Sequence, residues 1–89
     1  MEKNTANQEK FFYACAVGDE EIVRKLIVAD DVNFQDIDPK SGFTALHIAA
    51  DNGHTKIVEI LTHYGIDINA VNKEGQTALM LATKGGKAN

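Results

Sequence analysis

Three histidines, one cysteine and thirteen carboxylates are the groups in this 89-residue sequence that could do chemistry. Glu59 and His63 are four residues apart, so both would lie on one helix face within reach of a single metal ion. Two ligands do not complete a site, since zinc normally takes four, and a solvated pair is the plainer reading. Cys15 would act as a nucleophile only with a base beside it and a lowered thiol pKa. No histidine lies in the same stretch of chain, so a buried, inert thiol is expected. Gly85-Gly86-Lys87 lacks the first glycine, the spacing and the Ser/Thr of a phosphate loop. No paired-carboxylate, zinc-protease or nucleotide motif occurs. The residue types therefore argue against an enzyme, a cofactor or a metal, and the chemistry left is that of a surface.

The composition is that of one small soluble domain: 44% hydrophobic, 25% charged, with a single proline. One cysteine excludes an internal disulfide framework. No apolar run approaches the roughly 20 residues of a membrane helix. The N-terminal MEKNTANQEK has no apolar core, so no signal peptide is expected and a cytoplasmic or other intracellular setting is inferred. The net charge of −4 disfavours nucleic acid as a partner. The acidity is concentrated in residues 19–38. That stretch holds Asp19, Glu20, Glu21, Asp30, Asp31, Asp36 and Asp38 against Arg24 and Lys25 alone. It reads either as a docking surface for a basic partner or as helix-dipole and solvation chemistry.

The elements that must position these groups repeat. GFTALHIAA (42–50) returns as GQTALMLAT (75–83), with Gly42 and Gly75 spaced by 33. ACAVGDEEIVRKLI (14–27) lies over AADNGHTKIVEILT (49–62) at an offset of 35. The copies close with DVN (31–33) and DIN (67–69). Self-similarity at such a period signals stacked repeats.

Each unit reads as two short helices. Thr44 is an N-cap whose hydroxyl accepts from a free backbone N–H, and Asn52-Gly53 ends the helix that it starts. A second helix is expected from about Thr55 to Tyr64, with Ile57, Val58, Ile60 and Leu61 on its apolar face, stopped by Gly65. In the first unit, Thr5-Ala6-Asn7-Gln8 matches a capping box, so a helix starts near Ala6. Gly18 breaks it, and Asp19 caps a second helix through about Val28. Residues 66–76 form a loop turning at Lys73-Glu74-Gly75. No run alternates cleanly, so strand content beyond a short hairpin is not expected.

These residues resemble the ankyrin repeat. The likeness rests on the 33-residue spacing, Gly-x-Thr-x-Leu-His-x-Ala-Ala in 42–50, Gly53-His54, Ile57-Val58-x-x-Leu61, and Gly65-x-Asp67-x-Asn69-Ala70. The resemblance implies an all-α solenoid of stacked helix–loop–helix units with short projecting hairpins. It gives a single domain over 1–89: a divergent first repeat at about 5–37, a full repeat at about 39–70 and a truncated one at about 72–89. It also implies a non-enzymatic module that binds another protein, of unknown identity, through a concave face and hairpin tips. The positions expected there are Lys40, Ser41, Phe43, Asp51, Asn52, Lys73, Glu74, Gln76 and Lys84. Ile37 and Phe43 would be apolar groups at hairpin tips, with Phe43 either exposed or folded back over its neighbours. Structural roles fall to Thr44, His47, Gly53, His54, Leu61 and Asn69. His47 would hydrogen-bond Thr44 and backbone to tie neighbouring hairpins, and His54 would bridge backbone in the turn between helices.

The sequence departs from the pattern in places. Ala45 and Ala78 stand where the family has proline, and Met80 where Leu46-His47 keeps histidine. The stretch from Asn33 to Gly42 is longer than that from Asn69 to Gly75, with the extra residues expected near Ile37-Asp38-Pro39. The third unit has no second helix, and Gly85-Gly86 would break what there is, so Leu79, Met80 and Leu81 would lack full cover. An open last repeat favours a second reading, a self-associating homodimer. A third is chemical: Leu61, Asp67-Ile68 and Asn69 resemble the pattern in ankyrin repeats modified by the hypoxia-linked asparaginyl hydroxylase, against a simple loop hydrogen bond for Asn69. Neither nucleic-acid binding nor membrane insertion is expected.

Overall fold

The structure, a computed structural model, describes residues 5–29 and 32–84, with Thr5 and Lys84 described in their backbone alone. Asp30, Asp31, the side chains of Thr5 and Lys84, and residues 85–89 with their glycine pair lie outside the described residues. Five helices follow one another: α1 (Thr5–Val17), α2 (Glu20–Val28), α3 (Ala45–Asp51), α4 (Thr55–His63) and α5 (Ala78–Lys84). Among the described residues there is no strand, only an isolated antiparallel bridge between Ile37 and Thr44. The fold is the expected all-α solenoid.

The helix limits follow from local chemistry. The Asp19 carboxylate accepts from Ile22 N–H at 3.2 Å and so opens α2. Thr44 Oγ1 accepts from His47 N–H, and the His47 ring returns a bond to Thr44 N–H, a reciprocal cap with histidine in place of the usual Glu or Gln. Helix α4 stops at His63, and Tyr64 is its C-cap rather than its last residue.

Helices α1 and α2 pack as one pair, α3 and α4 as the next, with α3 between α1 and α5, and α2 against α4. Ala14, Ala45, Ala49 and Ala78 are buried, and their small side chains allow helix axes to come close. Phe11, Val23, Leu46, Ile57 and Leu61 fill the core between the layers. Each such side chain contributes roughly 1.5–3 kcal/mol by leaving water.

The two hairpin tips are built alike from one short polar side chain each. Asp38 N–H bonds Phe43 C=O, and Gly42 N–H returns to Asp38 C=O at 2.7 Å. Asn72 N–H bonds Gln76 C=O, and Gly75 N–H returns to Asn72 C=O. Asp38 lies four positions before Gly42 and Asn72 three before Gly75. Only one of the extra residues is therefore in the tip. The other two fall between Asn33 and Asp38, in the turn at Phe34-Gln35, earlier than the sequence suggested.

Helix α5 packs on α3 and buries Ala78 and Leu81. Leu81 is thus covered, contrary to expectation, because it shares the face that α3 meets. Leu79 remains 70% exposed and Met80 53%. The repeat places Leu79 over Phe11 and Leu46, both buried beneath a second helix of their own unit. Among the described residues α5 has no such helix behind it.

Candidate functional site

Four side chains tie one unit to the next or a helix to its loop, and together they hold the surface of the molecule in shape. The His47 ring nitrogen Nδ1 accepts from Thr44 N–H at 3.2 Å and lies 2.7 Å from Thr44 Oγ1. Its Nε2 is 2.7 Å from the carbonyl of Gln76 in the following hairpin. A carbonyl only accepts and a backbone N–H only donates, so the ring carries its proton on Nε2. His54 Nε2 donates to Ala16 C=O at 2.9 Å, joining the second unit to the end of α1. Gln8 makes a two-way bond to the backbone of Asn33. Gln35 does the same across two loops, donating to Gly65 C=O at 3.1 Å and accepting from Asp67 N–H at 2.9 Å.

This frame leaves a groove of about 970 Å³ between the inner helices and the first hairpin. Helix α1 gives it Gln8, Glu9, Phe12, Tyr13 and Ala16, which lie on one face of the helix. Helix α3 gives Ile48, Asp51 and Asn52, and the hairpin arm gives Phe34, Asp36, Asp38, Lys40, Ser41 and Phe43. Tyr13 stands 68% exposed. Phe43 folds back half-buried, its ring 5.6 Å from that of His47.

Of the residues expected at a binding face, Lys40, Ser41, Phe43, Asp51 and Asn52 meet in this groove. Lys73, Glu74 and Gln76 do not. They sit on the next hairpin, where Gln76 is committed to Asn72 and His47 and the Lys73 stem lies over Gly42. Ile37 is half exposed and pairs with Thr44 in the bridge. The side chains that sequence reasoning passed over are Phe12, Tyr13, Phe34, Gln35 and Asn72. The 35-residue offset would have found Tyr13, since it lies over Ile48 on the face that carries Asp51. Asn69 is exposed, and its N–H donates to the Asp67 carboxylate at 3.0 Å.

The acidic stretch 19–38 divides. Glu20 and Glu21 lie near Arg24 and Lys25 on α2 at 3.7 and 3.8 Å, exposed pairs of small value. Asp36 and Asp38 line the groove, the Asp36 carboxylate accepting from Ile37 N–H and that of Asp38 from Lys40 N–H and the Ser41 hydroxyl.

A sequence model of ankyrin repeats (three copies) matches residues 11–89. The chain belongs to the ankyrin-repeat family. This ankyrin-repeat chain is 34% identical over 83 residues to the E3 ubiquitin-protein ligase XB3 of Oryza sativa subsp. japonica, covering 93% of this chain and 18% of that protein. It is 39% identical over 85 residues to the NAD-capped RNA hydrolase NUDT12 of Pongo abelii, covering 90% and 18% respectively. It is 45% identical over 60 residues to human ankyrin repeat and SOCS box protein 3, covering 66% and 12%. The chain therefore spans less than a fifth of the length of each of these relatives. Ankyrin repeats are in general protein-interaction modules, and the family is typically non-enzymatic.

The reactive groups of this ankyrin-repeat chain are placed apart. Among the described residues no three His, Cys, Asp or Glu side chains converge as a metal site would need, and Glu59 and His63 are both exposed. Cys15 is fully buried, and desolvation pushes its thiol up to about 12, away from the reactive thiolate. Among the described residues no helix is long and apolar enough to cross a membrane.

Proposed function

We propose that the chain is a non-enzymatic protein-binding module that holds a partner protein in the groove between α1, α3 and the first hairpin. The supporting observation is the groove itself, walled by helix faces and an arm that hydrogen bonds fix in place. Rigid walls reduce the ordering cost of docking. Tyr13 and Phe43 are its anchors, since aromatic side chains dominate interface energies. Hydrogen exchange on the chain with a captured partner tests this. Protection should appear in α1 and in residues 33–43, and Tyr13→Ala should weaken capture about tenfold or more. Protection confined to α2 and α4 would place the site elsewhere.

A second reading is self-association through the exposed face of α5. It is favoured by one observation: Leu79, Ile68 and Ala82 line an apolar groove of about 380 Å³ with Leu46 and Val58. Two copies would bury this surface together, at roughly 25 cal/mol per Å². Sedimentation across a concentration series should then show a dimer that Leu79→Glu returns to monomer. A strict monomer at high concentration would reject it.

A further inference from the structure

The groove has a charge as well as a shape. Among the described residues Glu9, Asp36, Asp38 and Asp51 line it against one cation, Lys40. On α2, Glu20 and Glu21 each have a cation close by, Arg24 and Lys25. Between the groove carboxylates stand aromatic faces: Tyr13, which is largely exposed, and the half-buried Phe34 and Phe43. Low-dielectric walls lined with one sign of charge concentrate the field in the cleft and attract the opposite sign. Aromatic faces add attraction for guanidinium and ammonium groups and contact for apolar ones.

We infer that the groove takes an extended protein segment in which Lys or Arg side chains alternate with one or two apolar anchors. This inference rests on the groove being a protein-binding site and adds the chemistry of the partner. The basic side chains face Glu9 and Asp36 at the rim, and the apolar anchor sits between Tyr13 and Phe43. A second copy of this chain does not fit that description. Its net charge is −4, so two copies repel at an acidic surface. Nucleic acid and anionic lipid are rejected by the same sign.

The test is selection from a random dodecapeptide display library on the whole chain, followed by resynthesis and titration of the peptides recovered. Glu9→Gln and Asp36→Asn together remove two charges and keep the shape. Neither residue is buried, and the Asp36 carboxylate serves only the neighbouring Ile37 N–H. Basic peptides should be recovered whose binding weakens with Tyr13→Ala and not with Leu79→Ala. The double variant should weaken them about fivefold or more. Raising salt from about 50 to about 500 mM, which shortens the Debye length from about 14 to about 4 Å, should weaken them further. Neutral or acidic peptides that still depend on Tyr13 would overturn the charge inference and leave the groove as a binding site. Peptides indifferent to Tyr13, or none recovered, would overturn both.

Discussion

His54 lies so close against Gly18 that a β-carbon at that glycine would stand 2.9 Å from the imidazole ring. The contact is a consequence of the ring's bond to Ala16 C=O just upstream. Gly18 also has φ of +87°, a conformation that side-chain-bearing residues rarely adopt. Sequence position and tertiary contact thus demand glycine for two separate reasons. Gly18→Ala should cost about 3 kcal/mol, above the roughly 1–2 kcal/mol of the left-handed backbone alone. In a domain of this size, thermal unfolding should fall by about 12–24 °C. The pair His54→Ala with Gly18→Ala should show less loss than the sum of the singles, because removing the ring removes the clash. Strict additivity would show that the contact is not felt.

Replacing His47 removes three contacts at once and strands one buried donor. His47→Ala leaves Thr44 N–H, Thr44 Oγ1 and Gln76 C=O without the ring that now meets them. Thr44 N–H is left unsatisfied, at about 1–3 kcal/mol, while Gln76 C=O keeps Asn72 N–H and Thr44 Oγ1 keeps the backbone N–H of residue 47, so a loss of about 2 kcal/mol is expected. The damage should be local in exchange measurements. Amides of α5, which follow the Gln76 hairpin, should speed up more than those of α2. Equal acceleration in both would mean that the ring acts on global stability alone.

Leu61 and Leu79 are the same residue type in opposite circumstances, 0% and 70% exposed. Leu61→Ala should cost about 2–5 kcal/mol, a large share of the roughly 4–13 kcal/mol expected for the whole chain. Leu79→Ala should stay within about 0.5 kcal/mol in the monomer. Denaturant midpoints for the two variants check both figures. A Leu61 loss below about 1 kcal/mol would show that α4 does not seal the core.

Burial of Cys15 makes a pH prediction of defined sign. Its thiol is raised from 9.0 to about 12 by desolvation, so the folded chain holds this proton when the unfolded chain gives it up. The stability tied to it is complete below about pH 9 and is lost as pH rises from there towards about 12. Wild type should therefore lose stability faster than Cys15→Ala over that window, with a difference in slope approaching about 1.4 kcal/mol per pH unit. Parallel curves would contradict the burial. At pH 8 the thiol should react with iodoacetamide only as fast as the chain opens.

What was legible in the sequence was whatever depends on near neighbours or on the period. Thr44 and Asp19 announce caps, and Gly18 and Gly53 mark the ends of helices, because each acts within a few residues of itself. The copy from 42–50 to 75–83 then supplies the stacking. The glutamines were not legible. Gln8 and Gln35 bond backbone groups 25 to 32 residues away, and nothing local separates them from any solvated amide. Phe11, Phe12 and Tyr13 are consecutive and all apolar in type, so composition alone could not say that Phe11 goes to the core and Tyr13 to solvent. The phase of α1 against α3 settles it, and in the sequence only the 35-residue offset carries that phase. Asn72 was overlooked for a like reason. Its value lies in accepting from both Glu74 and Gln76 N–H in a turn whose form the sequence leaves open.

The Gln35 bridge has a mechanical consequence. Helix α4 is pinned beyond both of its ends: His54 precedes it and holds Ala16, while Gly65 and Asp67 follow it and are held by Gln35. The nine residues between span about 13 Å. A bar hinged at one point swings, but a bar bolted at two cannot turn about either. The rocking of the first two units against each other is thus resisted at both ends of α4, and with it any change in the width of the mouth they form. The two residues added ahead of Asp38, in the turn that carries Gln35, act as the brace of that mouth.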